Sequence, residues 1–209
     1  MTYQEDSNAL SIVKWVTSVA VDGFGPFSSS HDLANEYRGQ CKNLDEAINC
    51  LIGWEVAKAG VSGFVTGVPG LAALPITIPV GLGVSYGLGG RVAAAVADLR
   101  GWDVNSDAVR TMVALCLLGD AGVEIAKNAG IAIGVKLSKH LIGQVSGRTL
   151  IEINKRVGFR LITKAGEKGV INLMKFVPLV GGVVGAGFDS SFVNGCGQTA
   201  KIVFPRANL

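Results

Sequence analysis

The sequence predicts an all-α fold. Apolar side chains recur at helical spacing in most segments, and no segment shows a convincing run of the strict alternation that is typical of a half-buried strand. Hydrophobic residues make up 49% of the 209 residues, charged residues only 17%, and the mean hydropathy is +0.42. These values exclude a disordered chain, which needs low hydrophobicity and high charge. The length fits one domain of ordinary size or two very small ones.

Three helices are predicted before residue 69. They are expected over residues 8–21, over 30–40 and from 43 to about 68, and a loop rich in Gly, Pro and Ser covers 22–30. The third helix begins with Asn43-Leu-Asp-Glu46, a capping box. In such a box the Asn43 side chain accepts an unpaired helix N–H while Glu46 reaches back.

Residues 59–90 form a stretch with nine glycines, three prolines and no charged side chain. An interior Pro costs a helix about 3 kcal/mol, so one straight helix is excluded. We predict a helical hairpin with its turn at Pro69–Pro79 and a second arm that continues to Leu99. The residues assigned to this hairpin are Gly63, Gly67, Pro69, Leu74, Pro75, Pro79, Gly83 and Gly87.

Four further helices are predicted in the second half of the chain. They are expected over 108–118 after the cap sequence Asn105-Ser-Asp107, over 119–134 with a continuation to 142, over 148–175, and from Pro178 to about 200. The helix over 148–175 is expected to be broken at Gly158, Gly166 and Gly169.

Five motifs place small residues four apart, on one face of a helix. They are Gly63/Gly67, Gly83/Gly87, Gly143/Gly147, Gly181/Gly185 and the series Gly122, Ala126, Gly130, Gly134. Such faces let helices approach closely, either in lipid or in a tightly packed soluble bundle. Asp189 follows the Gly181/Gly185 pair and is assigned to the same packing helix.

The uncharged stretch does not predict a membrane-spanning helix. A span needs about 20 apolar residues, whereas the first arm of the hairpin offers only residues 59–68. The second arm meets Arg91, which would cost about 2.5–3.5 kcal/mol at mid-membrane. The sequence favours a re-entrant or interfacial hairpin, with a hairpin buried in a soluble core as the alternative.

Charge is distributed unevenly along the chain. The formal net charge is −4 over residues 1–58, −1 over 91–134 and +8 over 135–209. Arg156, Arg160, Lys164 and Lys168 recur every fourth residue and fan over one side of a helix. This face is predicted to bind anionic phospholipid headgroups; a solvated surface is the alternative. The segment has a single aromatic residue for base stacking, Phe159, and no nucleic-acid-binding motif, which argues against nucleic acid.

Signatures of catalysis are missing from the sequence. It holds no phosphate-binding G-x-x-x-x-G-K-[ST] loop, no G-x-S-x-G elbow and no H-E-x-x-H. Cofactors and a metal site are not expected, because the four Cys are scattered and His31 and His140 lie far apart. Catalytic residues are not assigned; an enzyme would have to use Asp189 or the pair Asp120/Glu124.

The chain resembles the bacterial EcsC family. The main match runs from Ile153-Asn-Lys-Arg-Val-Gly-Phe-Arg to Val177-Pro-Leu-Val-Gly-Gly182 and on to Gly185-Ala-Gly-Phe-Asp189, where Ala186 replaces a Gly that is frequent in the family. Supporting matches are Trp54-Glu-Val-Ala-Lys-Ala-Gly60 and Arg110–Gly119. The resemblance implies one domain over 10–205 after a tail over 1–9. The family is named for a protein encoded beside an ABC transporter, and no catalytic residue carries over.

These features together predict a non-catalytic, membrane-associated protein. It is expected in the cytoplasm, since its N-terminus does not look like a signal peptide, and peripheral or partly inserted at the inner membrane. Its basic face would dock on anionic phospholipid, and its hairpin would enter lipid or surround a lipid chain. Three alternatives stay open: a soluble interaction module for a transporter or secretion complex, a membrane-disrupting effector, and a hydrolase. The sequence leaves an oligomer open.

Overall fold

The computed structural model describes residues 3–61, 80–134, 137–173 and 181–207, with side chains over 4–59, 82–134, 137–163 and 189–207. This part of the chain is helical, with no strand beyond one isolated bridge between Phe24 and Phe27, so the all-α prediction is confirmed. Its helices are α1 Tyr3–Asp22, α2 Ser30–Arg38, α3 Leu44–Val61, α4 Val80–Leu99, α5 Asp107–Cys116, α6 Asp120–Asn128, α7 Lys139–Gly143, α8 Gly147–Leu173 and α9 Gly181–Val203.

Several of these helices begin where a polar side chain caps them. The Asn43 side chain accepts the Glu46 N–H at 2.9 Å, as the predicted capping box requires. Glu46 reaches back as predicted, but it accepts the N–H of Lys42 at 3.2 Å, one residue before the N-cap. Ser106 caps α5 in the same way by accepting the Val109 N–H. These contacts are local, which explains why the sequence locates both helix starts to within a residue or two.

The core is built around α4. This helix packs against α1, α2, α3, α5 and α9, and its residues Val92–Ala97 are completely buried. Helix α8 packs along α1, with Val157 and Leu161 turned into the core. Most of the α4 sequence is apolar on every side, as expected of a helix that neighbours surround.

Three helix predictions need correction. Helix α8 runs through Gly158, Gly166 and Gly169 without a break. At Gly158 the helix is buried against α1, and such packing outweighs the propensity cost of Gly. Helix α6 ends at Asn128 instead of 134, because Gly130 (φ +78°) and Gly134 (φ +69°) adopt left-handed conformations that a helix cannot continue through. The expected continuation to 142 is instead the separate helix α7.

Two of the five small-residue motifs are interrupted by these helix ends. Gly130 and Gly134 leave the helical series that begins at Gly122 and Ala126, and Gly143 and Gly147 belong to different helices. These two motifs therefore form no common helix face. Gly83 and Gly87 are buried in α4, where the Phe24 ring lies against Gly87.

The predicted hairpin turn lies outside the described residues, as does the helix start at Pro178. This covers Gly63, Gly67, Pro69, Leu74, Pro75 and Pro79. Helix α1 begins at Tyr3, so most of the segment 1–9 belongs to a helix. Within the described ranges, no helix combines the length and the apolar character that crossing a membrane requires.

Candidate functional site

The exposed side of α8 carries Arg156 and Arg160. Both are exposed, whereas Val157 and Leu161 on the opposite side are 0% exposed. Among the described residues, neither guanidinium has a carboxylate within ion-pair distance. Their neighbour Lys155 differs, because it forms a 2.8 Å ion pair with Asp6 of α1. The two arginines are thus available to an external anion.

An exposed aromatic side chain, Phe159, lies on the same side of α8 as these two cations. Phe159 is 40% exposed, although an isolated large apolar residue of this kind is more often packed away. Ile151, two turns earlier on α8, is also exposed. The outer side of α8 therefore combines unpaired positive charge with accessible apolar surface; we call Arg156, Phe159 and Arg160 the α8 face.

The other two predicted lysines extend this helix. Lys164 and Lys168 lie in α8, and their side chains fall outside the described part. Helical spacing alone places them in register with Arg156 and Arg160. Gly181 and Gly185 likewise lie in α9, in a segment whose surroundings are not described.

Three side-chain hydrogen bonds connect α3, α4, α8 and α9 on the inner side of α8. The Tyr86 hydroxyl of α4 donates to the Leu161 carbonyl of α8 at 3.1 Å. The Ser190 hydroxyl of α9 donates to the Val56 carbonyl of α3 at 3.1 Å. The Ser85 hydroxyl donates to an Asp189 carboxylate oxygen. We call these six residues the four-helix junction.

The four-helix junction lies close to the end of α3 and to the start of α4. Helix α3 ends at Val61, shortly after Val56, and α4 begins at Val80, shortly before Ser85. The chain connecting them is residues 62–79, which include the predicted hairpin turn at Pro69–Pro79. Both helices that flank this segment are therefore held at the junction.

Asp189 at the junction is a half-buried carboxylate. Burial raises its pKa above the ordinary value, and the hydrogen bond from Ser85 opposes this shift. Asp120 and Glu124, the other carboxylates singled out by the sequence, are both exposed on α6. An exposed pair of this kind is typical of a solvated helix surface.

A buried ion pair lies at the base of the hairpin. Arg91 of α4 and Glu55 of α3 are 5% and 3% exposed, and their Nη1 and Oε2 atoms lie 2.6 Å apart. Arg91 also donates to the Ser28 carbonyl and hydroxyl, at 2.7 and 2.9 Å, while Lys58 reaches the second Glu55 oxygen at 2.9 Å. No local sequence pattern predicts that Arg91 and Glu55 pair, because they are 36 residues apart. Arg91 is thus neutralised within the protein.

A polar cluster that sequence reasoning missed joins α2 to the end of α4. The Asp98 carboxylate contacts His31 Nδ1 at 2.8 Å and Arg38 Nη2 at 2.6 Å. Asp98 and Arg38 also line a cleft of about 540 Å³ together with Trp102, Ser106 and Lys139. His31 is largely exposed, so the cluster lies at the protein surface between α2 and α4. Its members are far apart in sequence, and nothing in the local pattern pairs them.

Metal and thiol chemistry have little basis in the described part of the chain. There, no group of three or more His, Cys, Asp or Glu side chains could hold a metal ion. None of the four cysteines forms a disulfide, and burial raises the pKa of the Cys116 thiol, which makes it a poor nucleophile.

Comparison with known proteins does not extend these observations. No family model, no curated protein and no solved structure matches this chain.

Proposed function

We propose that the protein is a non-catalytic membrane-associated protein that docks on anionic phospholipid through the α8 face. The observation that carries the proposal is the exposed Phe159 on the same outer side of α8 as two guanidiniums that lack a carboxylate partner in the described part of the chain. Surface arginines in proteins of ordinary composition are more often solvated singly or paired. Here the charge is concentrated, and it adjoins an apolar ring.

This combination suits the interface of a bilayer. Each Arg or Lys near an anionic membrane surface contributes about 1 kcal/mol, and an aromatic ring gains free energy by entering the headgroup region. Lys164 and Lys168 continue the same spacing and increase the positive charge of the segment. The net charge of +8 over residues 135–209 gives a long-range attraction to the same surface.

The hairpin supplies the apolar part of the proposal. The uncharged residues 59–90 begin in α3 and end in α4, two helices that take part in the four-helix junction with Leu161 of α8. In this proposal the α8 face holds the protein at the bilayer, and the hairpin enters lipid or surrounds a lipid chain.

The test is flotation of the purified full-length chain with liposomes. Phosphatidylglycerol vesicles are compared with phosphatidylcholine vesicles, at low and high salt. We expect binding to the anionic vesicles only. The double variant Arg156→Gln/Arg160→Gln should weaken that binding about thirtyfold, since two lost contacts of about 1 kcal/mol each multiply to that factor.

The matched control removes the same charge elsewhere. Lys42 and Lys127 are both exposed, on the α2–α3 loop and on α6. Lys42→Gln/Lys127→Gln should keep vesicle binding within about threefold of the parent, as expected for the loss of long-range attraction only. An equal loss of vesicle binding in both double variants would mean that the α8 face contributes only through the net positive charge of the protein. No binding to either vesicle would reject the proposed function and favour a soluble interaction module.

A further inference from the structure

Trp54 is the most exposed large apolar side chain in the described part of the chain. It is 63% exposed, while the other two tryptophans, Trp15 and Trp102, are 8% and 3% exposed. Its neighbours on the outer side of α3 are Gly53, Ala57 and Lys58, all exposed. An exposed indole forgoes the free energy that its burial against apolar surface would supply, so it is available to an apolar partner.

Among residues 53–59 around Trp54, Lys58 is the one exposed charged side chain. Glu55, the next residue, is buried against Arg91. Lys58 remains half exposed, and after it the sequence has no charged residue until Arg91, which is itself buried. The last turns of α3 therefore present an aromatic ring, a cation and small residues, and no carboxylate, to the outside.

Helix α3 continues from this surface into the uncharged stretch of residues 59–90, which begins five residues after Trp54. The α8 face likewise combines an exposed aromatic ring, that of Phe159, with adjoining cations. Both surfaces therefore have the composition that suits the interface of a bilayer.

Resting on the proposed function, we infer that Trp54 is an interfacial anchor in the same anionic bilayer that the α8 face contacts. The indole has an apolar body and one N–H donor, which is the reason tryptophans concentrate at headgroup level. Lys58, one turn later, donates to Glu55 but is half exposed, so its remaining N–H groups can meet a lipid phosphate. The anchor fixes the depth at which the hairpin meets the bilayer, and its contribution is apolar, so it resists salt.

The experiment follows tryptophan fluorescence of the full-length chain on phosphatidylglycerol vesicles. In solution, Trp54 is the residue that aqueous iodide should quench. On vesicles, the emission should shift to the blue, iodide quenching should fall several-fold, and lipids brominated near the headgroup should quench more than lipids brominated near the chain end. Trp54→Phe should abolish all three changes, because Trp15 and Trp102 are already buried.

Vesicle affinity is measured in parallel with matched variants. Trp54→Ala should lower it several-fold, and Trp54→Tyr, which keeps an amphipathic ring, should restore most of the loss. Ile202→Ala removes an equally exposed side chain of α9 and should leave affinity unchanged.

Three outcomes overturn the inference. A protein that floats with vesicles while Trp54 stays open to iodide rejects the anchor and leaves the proposed function standing. A blue shift that depends on protein concentration and not on lipid assigns Trp54 to self-association. A protein that does not float at all rejects the anchor together with the proposed function.

Discussion

Two carboxylates near the hairpin meet different environments. Glu55 contacts both Arg91 and Lys58, so its charge is compensated where it is buried. Asp189 is half-buried and, among its contacts in the described residues, receives one hydroxyl hydrogen bond from Ser85. A neutral hydroxyl compensates a buried charge less than a guanidinium does, and burial accordingly dominates the raised pKa of Asp189.

The raised pKa of Asp189 makes a prediction about stability and pH. Because the folded protein holds this proton more tightly than the unfolded chain, Asp189 destabilises the fold once pH rises above the ordinary Asp pKa. The penalty grows until pH passes the raised pKa and is then constant. Asp189→Asn keeps an acceptor for the Ser85 hydroxyl but cannot ionise. It should therefore increase the free energy of unfolding at pH 7 and leave it unchanged at pH 3.

Urea denaturation at both pH values tests this prediction. Asp120→Asn is the control, because Asp120 is exposed and its substitution should move neither value. If Asp189→Asn is destabilising at pH 7, the carboxylate has a stabilising partner, and its role at the junction is that of an ion-pair member.

At the scale of the helices, α8 is positioned by glycine. Gly158 lies where α8 crosses α1, and a Cβ built on it collides with the backbone carbonyl of Ala9. The same helix turn carries Val157 inward and Phe159 and Arg160 outward. The close approach at Gly158 therefore sets how the α8 face is presented.

Substitution of Gly158 should separate packing from helix propensity. Gly158→Ala must push α8 away from α1, and we expect it to destabilise the protein by about 1–3 kcal/mol, the usual cost of overpacking. Gly195→Ala in α9 is the matched control, since a Cβ there meets nothing within 4 Å. It should stabilise by about 0.5–1 kcal/mol through helix propensity. Urea unfolding followed by circular dichroism measures both; stabilisation by Gly158→Ala would contradict the tight crossing.

The helices show what the sequence can and cannot predict. Starts marked by caps, such as those at Asn43 and Ser106, are predictable because the capping contact is local. The predicted end of α6 at residue 134 is wrong, because Gly130 can serve either a helix or a left-handed turn. At the candidate site, the four-residue spacing of Arg156 and Arg160 predicts that they share the α8 face. It does not predict the junction or the Glu55–Arg91 pair, which join residues far apart in the chain.

At the scale of the whole molecule, the described part of the chain offers two surfaces that combine a cation with an exposed aromatic ring. Trp54 and Lys58 lie on the outer side of α3, and the α8 face lies on the outer side of α8. The four-helix junction connects both helices through α4 and α9. The buried Glu55–Arg91 pair keeps two charges away from the outer side of α3. A bilayer contact of this kind has two components, one screened by salt and one insensitive to it.

Salt titration should separate the two components. Raising ionic strength from about 0.1 M to 1 M shortens the Debye length from about 10 Å to about 3 Å and removes most of the attraction between the arginines and anionic lipid. We expect the affinity of the parent chain for phosphatidylglycerol vesicles to fall with salt to a residual value. Arg156→Gln/Arg160→Gln should flatten this dependence and keep the residual value. Trp54→Ala should keep the dependence and lower the affinity by the same factor at every salt concentration. The triple variant should show both losses multiplied, since the two contacts act on one bilayer through different forces. A Trp54→Ala variant with a changed salt dependence, or an arginine variant with an unchanged one, would mean that α3 and α8 do not contact the lipid separately.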